Sequence, residues 1–149
     1  MIPQPLFAYG TLQDADILAA VLGKIVREAD QVPAHLADHA IVYHPGRVYP
    51  ALLPRPDANA PGCLIAGLGP SDLAALDAFE GDEYRRESRP VMTAAGLCQA
   101  FVYWPTASIP EEAPLWTLSF WRAHHKPEIL AAELALARAA HAAGPSPSD

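Results

Sequence analysis

Basic residues are scarce in this chain of 149 residues: Lys and Arg number 10 against 17 Asp and Glu, which gives a formal net charge of −7. Binding to nucleic acid depends on clusters of basic side chains that neutralise phosphates. The densest basic stretch here, formed by Arg85, Arg86 and Arg89, is interleaved with acidic residues. The charge pattern therefore argues against nucleic acid as a partner.

Long apolar runs are also missing. No stretch approaches the roughly 20 apolar residues that a membrane-spanning helix needs, and no basic segment followed by an apolar one precedes the first strand-like run, as a secretory signal would. The chain has only two cysteines, Cys63 and Cys98, both in apolar, strand-like runs. Reduced, buried thiols in a cytoplasmic protein are the simplest interpretation, and nothing in the sequence favours the alternative of a disulfide. We expect a cytoplasmic protein without a membrane partner, and the sequence leaves its oligomeric state open.

Common cofactor and metal motifs are absent as well. The sequence has no Walker loop, no dinucleotide-binding fingerprint and no Gly-x-Ser-x-Gly nucleophile motif. His35 and His39 are four residues apart and His44 could add a third metal ligand, but no ligand-spacing pattern supports such a site. We interpret all three as surface histidines, and we expect neither a metal nor a cofactor.

Apolar residues (51%) and proline (16 residues) are abundant. This length and apolar content suit one domain with a substantial core. Short apolar or alternating runs predict six or seven strands, separated by turns and by prolines such as Pro33. Two helices are predicted among them. One is capped by Asp14 or Asp16, and the other runs from a Ser71 cap to Gly81.

Two further helices are predicted near the C-terminus, where Trp116, Phe120 and Trp121 recur at helical spacing. We expect these aromatic residues to pack onto the strands. An apolar helix face left exposed there would instead indicate a partner or dimer surface. The elements together predict an α+β fold, a small mixed β-barrel with flanking helices. We expect a single domain over residues 1–143 and a disordered tail over 144–149.

The first candidate site is the turn in "FAYGTL", residues 7–12, which follows the first predicted strand. Gly10 allows either a close approach of the backbone to a ligand or a positive φ. Successive amides after such a glycine can point at one anion, and Thr11 adds a hydroxyl donor. These groups would suit a carboxylate or a phosphate, although most turns of this kind are only structural.

The second candidate is Glu80, at the end of the helix predicted to stop at Gly81. The negative end of the helix dipole and partial burial would both raise the pKa of its carboxyl group. A pKa near the working pH suits a general base. The alternative is a solvated acid among its neighbours Asp77, Asp82 and Glu83.

Three motifs occur here in a fixed order: "FAYGTL", "VYPAL" and "LDAFEGDEYRR". Together they resemble the γ-glutamylcyclotransferase-like superfamily, specifically its AIG2-like branch, over about residues 5–104. The resemblance implies a small mixed barrel with flanking helices. It also implies a small γ-glutamyl compound as substrate, which active members convert to 5-oxoproline with release of an amine or amino acid.

The resemblance also assigns roles to individual positions. The Tyr-Gly-[Ser/Thr]-Leu loop lines the substrate pocket, the glutamate before the glycine is the catalytic acid/base, and a tyrosine after it borders the pocket. In this sequence these positions are Tyr9, Gly10, Thr11, Leu12, Glu80 and Tyr84. The family's enzymes more often have Gly-Ser-Asn where this chain has Gly-Thr-Leu.

The implied chemistry needs no nucleophile from the protein, because the α-amine of the substrate attacks its own γ-carbonyl. Holding the substrate bent supplies the orientation, and Glu80 would move the protons. The alternative is a non-catalytic module that keeps the same fold and binds a small carboxylate.

Overall fold

The structure is a computed structural model that describes residues 4–143. The predicted tail, 144–149, lies outside the described residues. Five strands are formed: β1 (Leu6–Ala8), β2 (Gln31–Tyr43), β3 (Pro50–Ile65), β4 (Tyr84–Thr93) and β5 (Gly96–Pro105). Four α-helices flank them: α1 (Ala15–Leu22), α2 (Pro70–Glu80), α3 (Leu118–His124) and α4 (Lys126–Ala143). Three short 3₁₀ helices cover Thr11–Gln13, Glu28–Asp30 and Gly81–Glu83.

The five strands close into a barrel in the order β1-β3-β2-β4-β5. Neighbouring strands are antiparallel except β1 and β5, which meet in parallel with Leu6 opposite Phe101. This confirms the predicted α+β class and the mixed barrel with flanking helices.

The predicted number of strands was too high, because the prolines and turns expected to break the chain do not interrupt β2 and β3. β2 runs through Pro33, which is exposed and lies opposite Cys63 on β3. A proline without an N–H is tolerated where that side of the strand needs no ladder hydrogen bond. The long β2–β3 hairpin changes register between Ala37 and His39. Such a bulge bends the hairpin, so one long ribbon can follow the barrel wall.

The helix boundaries follow local capping. At α1 the carboxylate of Asp14 accepts the amides of Asp16 and Ile17, and Gly23 ends the helix with φ 71°. At α2 the predicted Ser71 cap is wrong. The cap is Gly69, two residues earlier, so the helix begins at Pro70, and the Asp72 carboxylate accepts the Gly69 amide. Proline is favoured at a first helical position because its missing N–H would be unpaired there anyway.

Besides a small cluster of Ala40, Val42 and Leu53, the core consists of two layers. One cluster consists mainly of strand residues, among them Phe7, Leu64 and Val102. The other joins strands to helices and includes Leu6, on the opposite face of β1 from Phe7, and the fully buried Trp121. This second layer explains why the helices stay against the barrel.

The C-terminal aromatic residues are only partly as expected. Trp116 and Trp121 are buried, and the Trp116 indole donates to the Val48 carbonyl at 2.9 Å. Phe120, by contrast, is 47% exposed and stacks on His124 of the same helix. It lies on the outer side of α3, because Trp121 one residue later takes the inward position.

Asp14 connects the two ends of the chain through charge. Its carboxylate is only 1% exposed, and it accepts Arg122 Nε at 2.8 Å and Lys126 Nζ at 3.0 Å in addition to the helix amides. Burial alone would raise the pKa of this carboxyl, but the hydrogen bonds from Arg122, Lys126 and the Ile17 amide outweigh it and lower the pKa. The start of α1 is thereby joined to α3 and α4.

The cysteines are free thiols, and each is only partly buried, so the expectation of full burial was wrong. None of the helices in residues 4–143 is both long enough and apolar enough to cross a membrane.

We expect Asp14→Asn to lower the free energy of unfolding by about 1–3 kcal/mol, since Asn can still cap α1 but cannot pair with Arg122 and Lys126. Urea unfolding at neutral pH measures the loss. The pKa of Asp14 is lowered by folding, so its ionised form stabilises the protein above an unfolded pKa of about 3.9 and stops doing so as the pH falls below it. The difference between variant and wild type should therefore shrink in acid.

Asp16→Asn is the matched control, because Asp16 also contacts Lys126 but its side chain is 64% exposed. It should cost at most about 1 kcal/mol. Equal losses in both variants would show that the burial of Asp14 is unimportant.

Candidate functional site

A cavity of about 240 Å³ lies where the end of β1, the turn after it and the end of α2 come together. All six residues singled out from the sequence line it: Tyr9, Gly10, Thr11, Leu12, Glu80 and Tyr84. The structure thus brings together the glycine turn and the glutamate, which are 70 positions apart in the chain. What they do there stays a prediction.

The rest of the cavity wall comes from residues to which the sequence analysis gave no function: Val48, Tyr49, Pro50, Phe79, Glu83, Tyr103, Trp121, Ile129 and Glu133, together with β1 itself. Tyr49 and Pro50 belong to the "VYPAL" motif, which carried the resemblance without an assigned role. Ile129 and Glu133 are four residues apart on α4, a spacing that predicts one helix face. Nothing in the sequence says what that face covers.

Gly10 is required by close packing and not by a positive φ, since its φ is −120°. A Cβ atom at this position would lie 2.9 Å from Pro50 Cγ and 3.3 Å from Pro50 Cδ. The close approach that the sequence analysis considered for a ligand is therefore made by the proline ring. This contact sets the distance between the turn and the start of β3.

Unused amide donors are available at the turn. Thr11 and Leu12 are the first residues of a short 3₁₀ helix, and the Gly10 carbonyl accepts the amide and the side-chain amide of Gln13. Within residues 4–143 the Thr11 and Leu12 amides donate to no backbone or side-chain acceptor, as is usual at a helix start. Two main-chain donors on the cavity wall are thus free for a ligand.

Glu80 ends α2, and Gly81 follows it with φ 67°. The residue is partly buried, and its carboxyl group lies near the phenols of Tyr9, Tyr84 and Tyr103. This burial, and secondarily the negative charge of Asp77, raises its pKa from 4.5 to about 8. No hydrogen bond reaches the carboxyl group from the part of the chain that the structure describes. The alternative of an ordinary solvated acid does not fit these surroundings.

The tyrosines of the cavity wall already donate their hydroxyl groups to hydrogen bonds within the protein. Tyr9 donates to the Tyr103 carbonyl at 2.6 Å, and Tyr84 donates to the Pro50 carbonyl. Tyr103 in turn donates to Asp77 at 2.7 Å. Burial raises the pKa of each of these phenols. They are therefore suited to shaping the cavity and not to moving protons at neutral pH.

Glu83 contrasts with Glu80 on the same cavity. It accepts the Tyr49 hydroxyl and, at 3.2 Å, Arg47 Nε. The Tyr49 hydrogen bond and the positive charge of Arg47 hold the pKa of Glu83 below its usual value. One carboxyl is thus disposed to keep its proton and the other to stay charged, a division typical of sites that use acids in different roles.

His44 is not the surface residue that the sequence analysis expected. It is 5% exposed, and its ring lies between the rings of Tyr49 and Tyr84, with Nε2 3.6 Å from the Glu83 carboxylate. His35 and His39 are partly buried at other positions on β2. Over the described residues, no group of three His, Cys, Asp or Glu side chains is arranged to hold a metal ion.

Comparison with known proteins places these features in a family. The sequence model described as "Gamma-glutamyl cyclotransferase, AIG2-like" matches residues 6–123. The Arabidopsis thaliana "AIG2-like protein C" is 31% identical over 130 residues, which cover 85% of this chain and 74% of that protein.

Solved structures share the fold. A solution structure of an Arabidopsis thaliana protein matches with a TM-score of 0.66 at 21% identity and covers 87% of this chain and 78% of that one. A structure named "Gamma-glutamyl cyclotransferase" matches with a TM-score of 0.55 at 18% identity, covering 69% of this chain and 66% of that one.

We expect Gly10→Ala to lower the free energy of unfolding by about 1–3 kcal/mol, because the new methyl group would overlap the rigid Pro50 ring. Pro50→Ala removes the overlapping ring atoms, so the double variant should lose less than the sum of the two single losses. Urea unfolding of all four proteins measures this coupling. Strictly additive losses would show that the two residues do not restrain each other.

Glu80→Gln should stabilise the protein increasingly as the pH rises from about 4.5 to about 8. In this range the unfolded wild type releases a proton that the folded wild type keeps, so its free energy of unfolding falls with pH. Gln has no proton to lose, and its advantage should reach on the order of 3 kcal/mol by pH 8. Urea unfolding at a series of pH values tests this, with the exposed Glu28→Gln as a control that follows wild type. A constant difference across the range would contradict the raised pKa.

Proposed function

The chain belongs to the gamma-glutamyl cyclotransferase, AIG2-like family, and from this premise we propose that it converts a small γ-glutamyl amine or peptide to 5-oxoproline. The observation that carries the proposal is the position of Glu80. Glu80, whose carboxyl group has a pKa raised to about 8, lines the same cavity as Thr11 and Leu12, whose amides have no partner among the described residues.

The reaction begins with a proton transfer. The α-amine of the substrate is protonated at neutral pH and cannot attack until it loses a proton. Ionised Glu80 accepts that proton, and a raised pKa makes it a stronger base than an ordinary carboxylate. The absence of internal hydrogen bonds to its carboxyl leaves both oxygens available for this task.

Ring closure follows within the substrate. The freed amine attacks the γ-carbonyl carbon, a carbon–nitrogen bond forms, and the carbonyl oxygen becomes negatively charged. The bond to the released nitrogen then breaks as Glu80 returns its proton to that nitrogen. The ring nitrogen then gives up its second proton, which passes through Glu80 to the released amine. The products are 5-oxoproline and an alkylammonium ion, and Glu80 is again ionised.

The cavity walls supply orientation and electrostatic stabilisation. The Thr11 and Leu12 amides would hold either the α-carboxylate of the substrate or the negative oxygen formed during attack. Tyr9, Tyr84 and Pro50 limit the space around the bent substrate. A volume of about 240 Å³ lies just below the roughly 300–1,000 Å³ of pockets for drug-sized ligands, which favours a small substrate.

Glu80→Gln is expected to reduce 5-oxoproline release about 10²- to 10⁴-fold while the circular dichroism spectrum stays unchanged, because Gln cannot accept the proton. Asp82→Asn is the matched control. Asp82 lies two residues away, is exposed and does not line the cavity. In wild type, kcat/KM should rise as the pH approaches about 8, where Glu80 becomes ionised. Undiminished release by the Gln variant would remove Glu80 from the mechanism.

The non-catalytic alternative predicts ligand binding without turnover. A thermal-shift series with γ-glutamyl compounds and 5-oxoproline would then show stabilisation by ligand, and no product would form with wild type.

A further inference from the structure

One wall of the cavity comes from outside the part of the chain that the family model matches. The match ends at residue 123, whereas Ile129 and Glu133 lie on α4. The glycine turn and Glu80 lie inside the match. The cavity is therefore built from the part that the family model matches, which we call the shared part, and from a helix that lies beyond this match.

The charges around the cavity are unbalanced. Within residues 4–143 its wall has three carboxylic acids, Glu80, Glu83 and Glu133, and no Lys, Arg or His. Arg47 and Tyr49 stabilise the charge of Glu83 from behind. Glu133 forms no salt bridge or hydrogen bond with any described side chain. Glu80 and Glu133 are thus the two cavity carboxyl groups without a positive partner among the described side chains, and Glu133 is the one that the proposed reaction does not use.

The position of α4 keeps Glu133 at the cavity. At the start of the helix, Lys126 Nζ lies 3.0 Å from Asp14 and 2.7 Å from Asp16. Glu133 follows about two helical turns later, on the same face as Ile129. Partial burial raises the pKa of Glu133, so its charged form is disfavoured while the cavity is empty. A cation beside it would favour the charged form of Glu133 and lower its pKa again.

The substrate has two halves with different requirements. The γ-glutamyl half is common to every substrate of the proposed reaction, and the released half is the part that varies. The shared part of the cavity suits the constant half, since the reaction needs Glu80 and the turn amides there. The α4 wall then remains for the variable half.

We propose that Glu133 is a specificity-determining residue, which selects γ-glutamyl substrates whose released amine carries a second positive charge. This inference rests on the proposed function. A second ammonium group on the released half pairs with Glu133, whereas a carboxylate there is repelled by it and by Glu83. The site thereby discriminates between a γ-glutamyl diamine and a γ-glutamyl amino acid of the same length.

Three matched compounds test this selection: the γ-glutamyl amides of butylamine, of 1,4-diaminobutane and of 4-aminobutyrate. Their released halves have a four-carbon chain and end in a neutral, a positive and a negative group. We expect wild type to prefer the positive compound over the neutral one by roughly three- to tenfold in kcat/KM, the size of a partly exposed charge pair. The preference should weaken in high salt.

Glu133→Gln should remove this preference, so that the positive and the neutral compound react with similar kcat/KM. Glu128→Gln is the matched control, because it makes the same charge change on the same helix at an exposed position away from the cavity. It should keep the wild-type order of the three compounds. Binding of the same compounds to Glu80→Gln protein, with and without Glu133→Gln, is measured by calorimetry and does not depend on turnover.

The outcomes separate the two proposals. If 5-oxoproline is released but the order of the compounds is the same with and without Glu133, the inference is overturned and the proposed function stands. If no product forms but the positive compound binds best and Glu133→Gln abolishes that preference, the function is overturned and the selectivity stands. If no compound reacts or binds, both are overturned.

Discussion

The arrangement of this protein depends on one buried carboxylate, Asp14. It caps α1 directly after the glycine turn and binds two cations from α3 and from the start of α4. Sequence positions more than 100 residues apart are joined at this point. Because the turn lies on one side of the cavity and α4 on another, the same interaction that stabilises the helices also sets the width of the cavity.

The cavity in turn separates its acids by environment. Glu80 is buried at the end of a helix and receives no hydrogen bond from the described residues, while Glu83, three residues later, accepts hydrogen bonds from Tyr49 and Arg47. The surroundings of the two carboxyl groups differ although only one turn of 3₁₀ helix, Gly81–Glu83, separates them. Gly81, with its positive φ, allows the chain to turn so sharply that two nearby glutamates meet opposite conditions.

Local signals in the sequence predicted several of the helix boundaries around the cavity. The Asp14 cap and the helix end at Gly81 depend on short motifs, whereas the pairing of the turn with Glu80 in one pocket was an implication of the family resemblance. The strand count was wrong because the tolerance of Pro33 depends on which side of β2 faces a partner, and that is a property of the assembled barrel. The burial of His44 and the contributions of Tyr49 and Glu133 were missed for a similar reason. Their positions are decided by distant elements that pack against them, and single-sequence patterns do not record which elements those are.

The short pairing between β1 and β5, which closes the barrel, affects access to the cavity. β1 has only three residues, and its parallel connection to β5 consists of a single residue pair, Leu6 with Phe101, and the hydrogen bond from the Phe101 amide to the Pro5 carbonyl. The β2–β4 junction is equally short, with only His35 opposite Met92, but the junction at Leu6 is the one that leads into the glycine turn, since Gly10 follows four residues later. Transient separation of this junction would carry the turn away from the opposite wall without unfolding the long β2–β3 ribbon. The frequency of such local opening would then govern how quickly molecules enter and leave the interior, so the length of one short strand becomes a determinant of exchange kinetics.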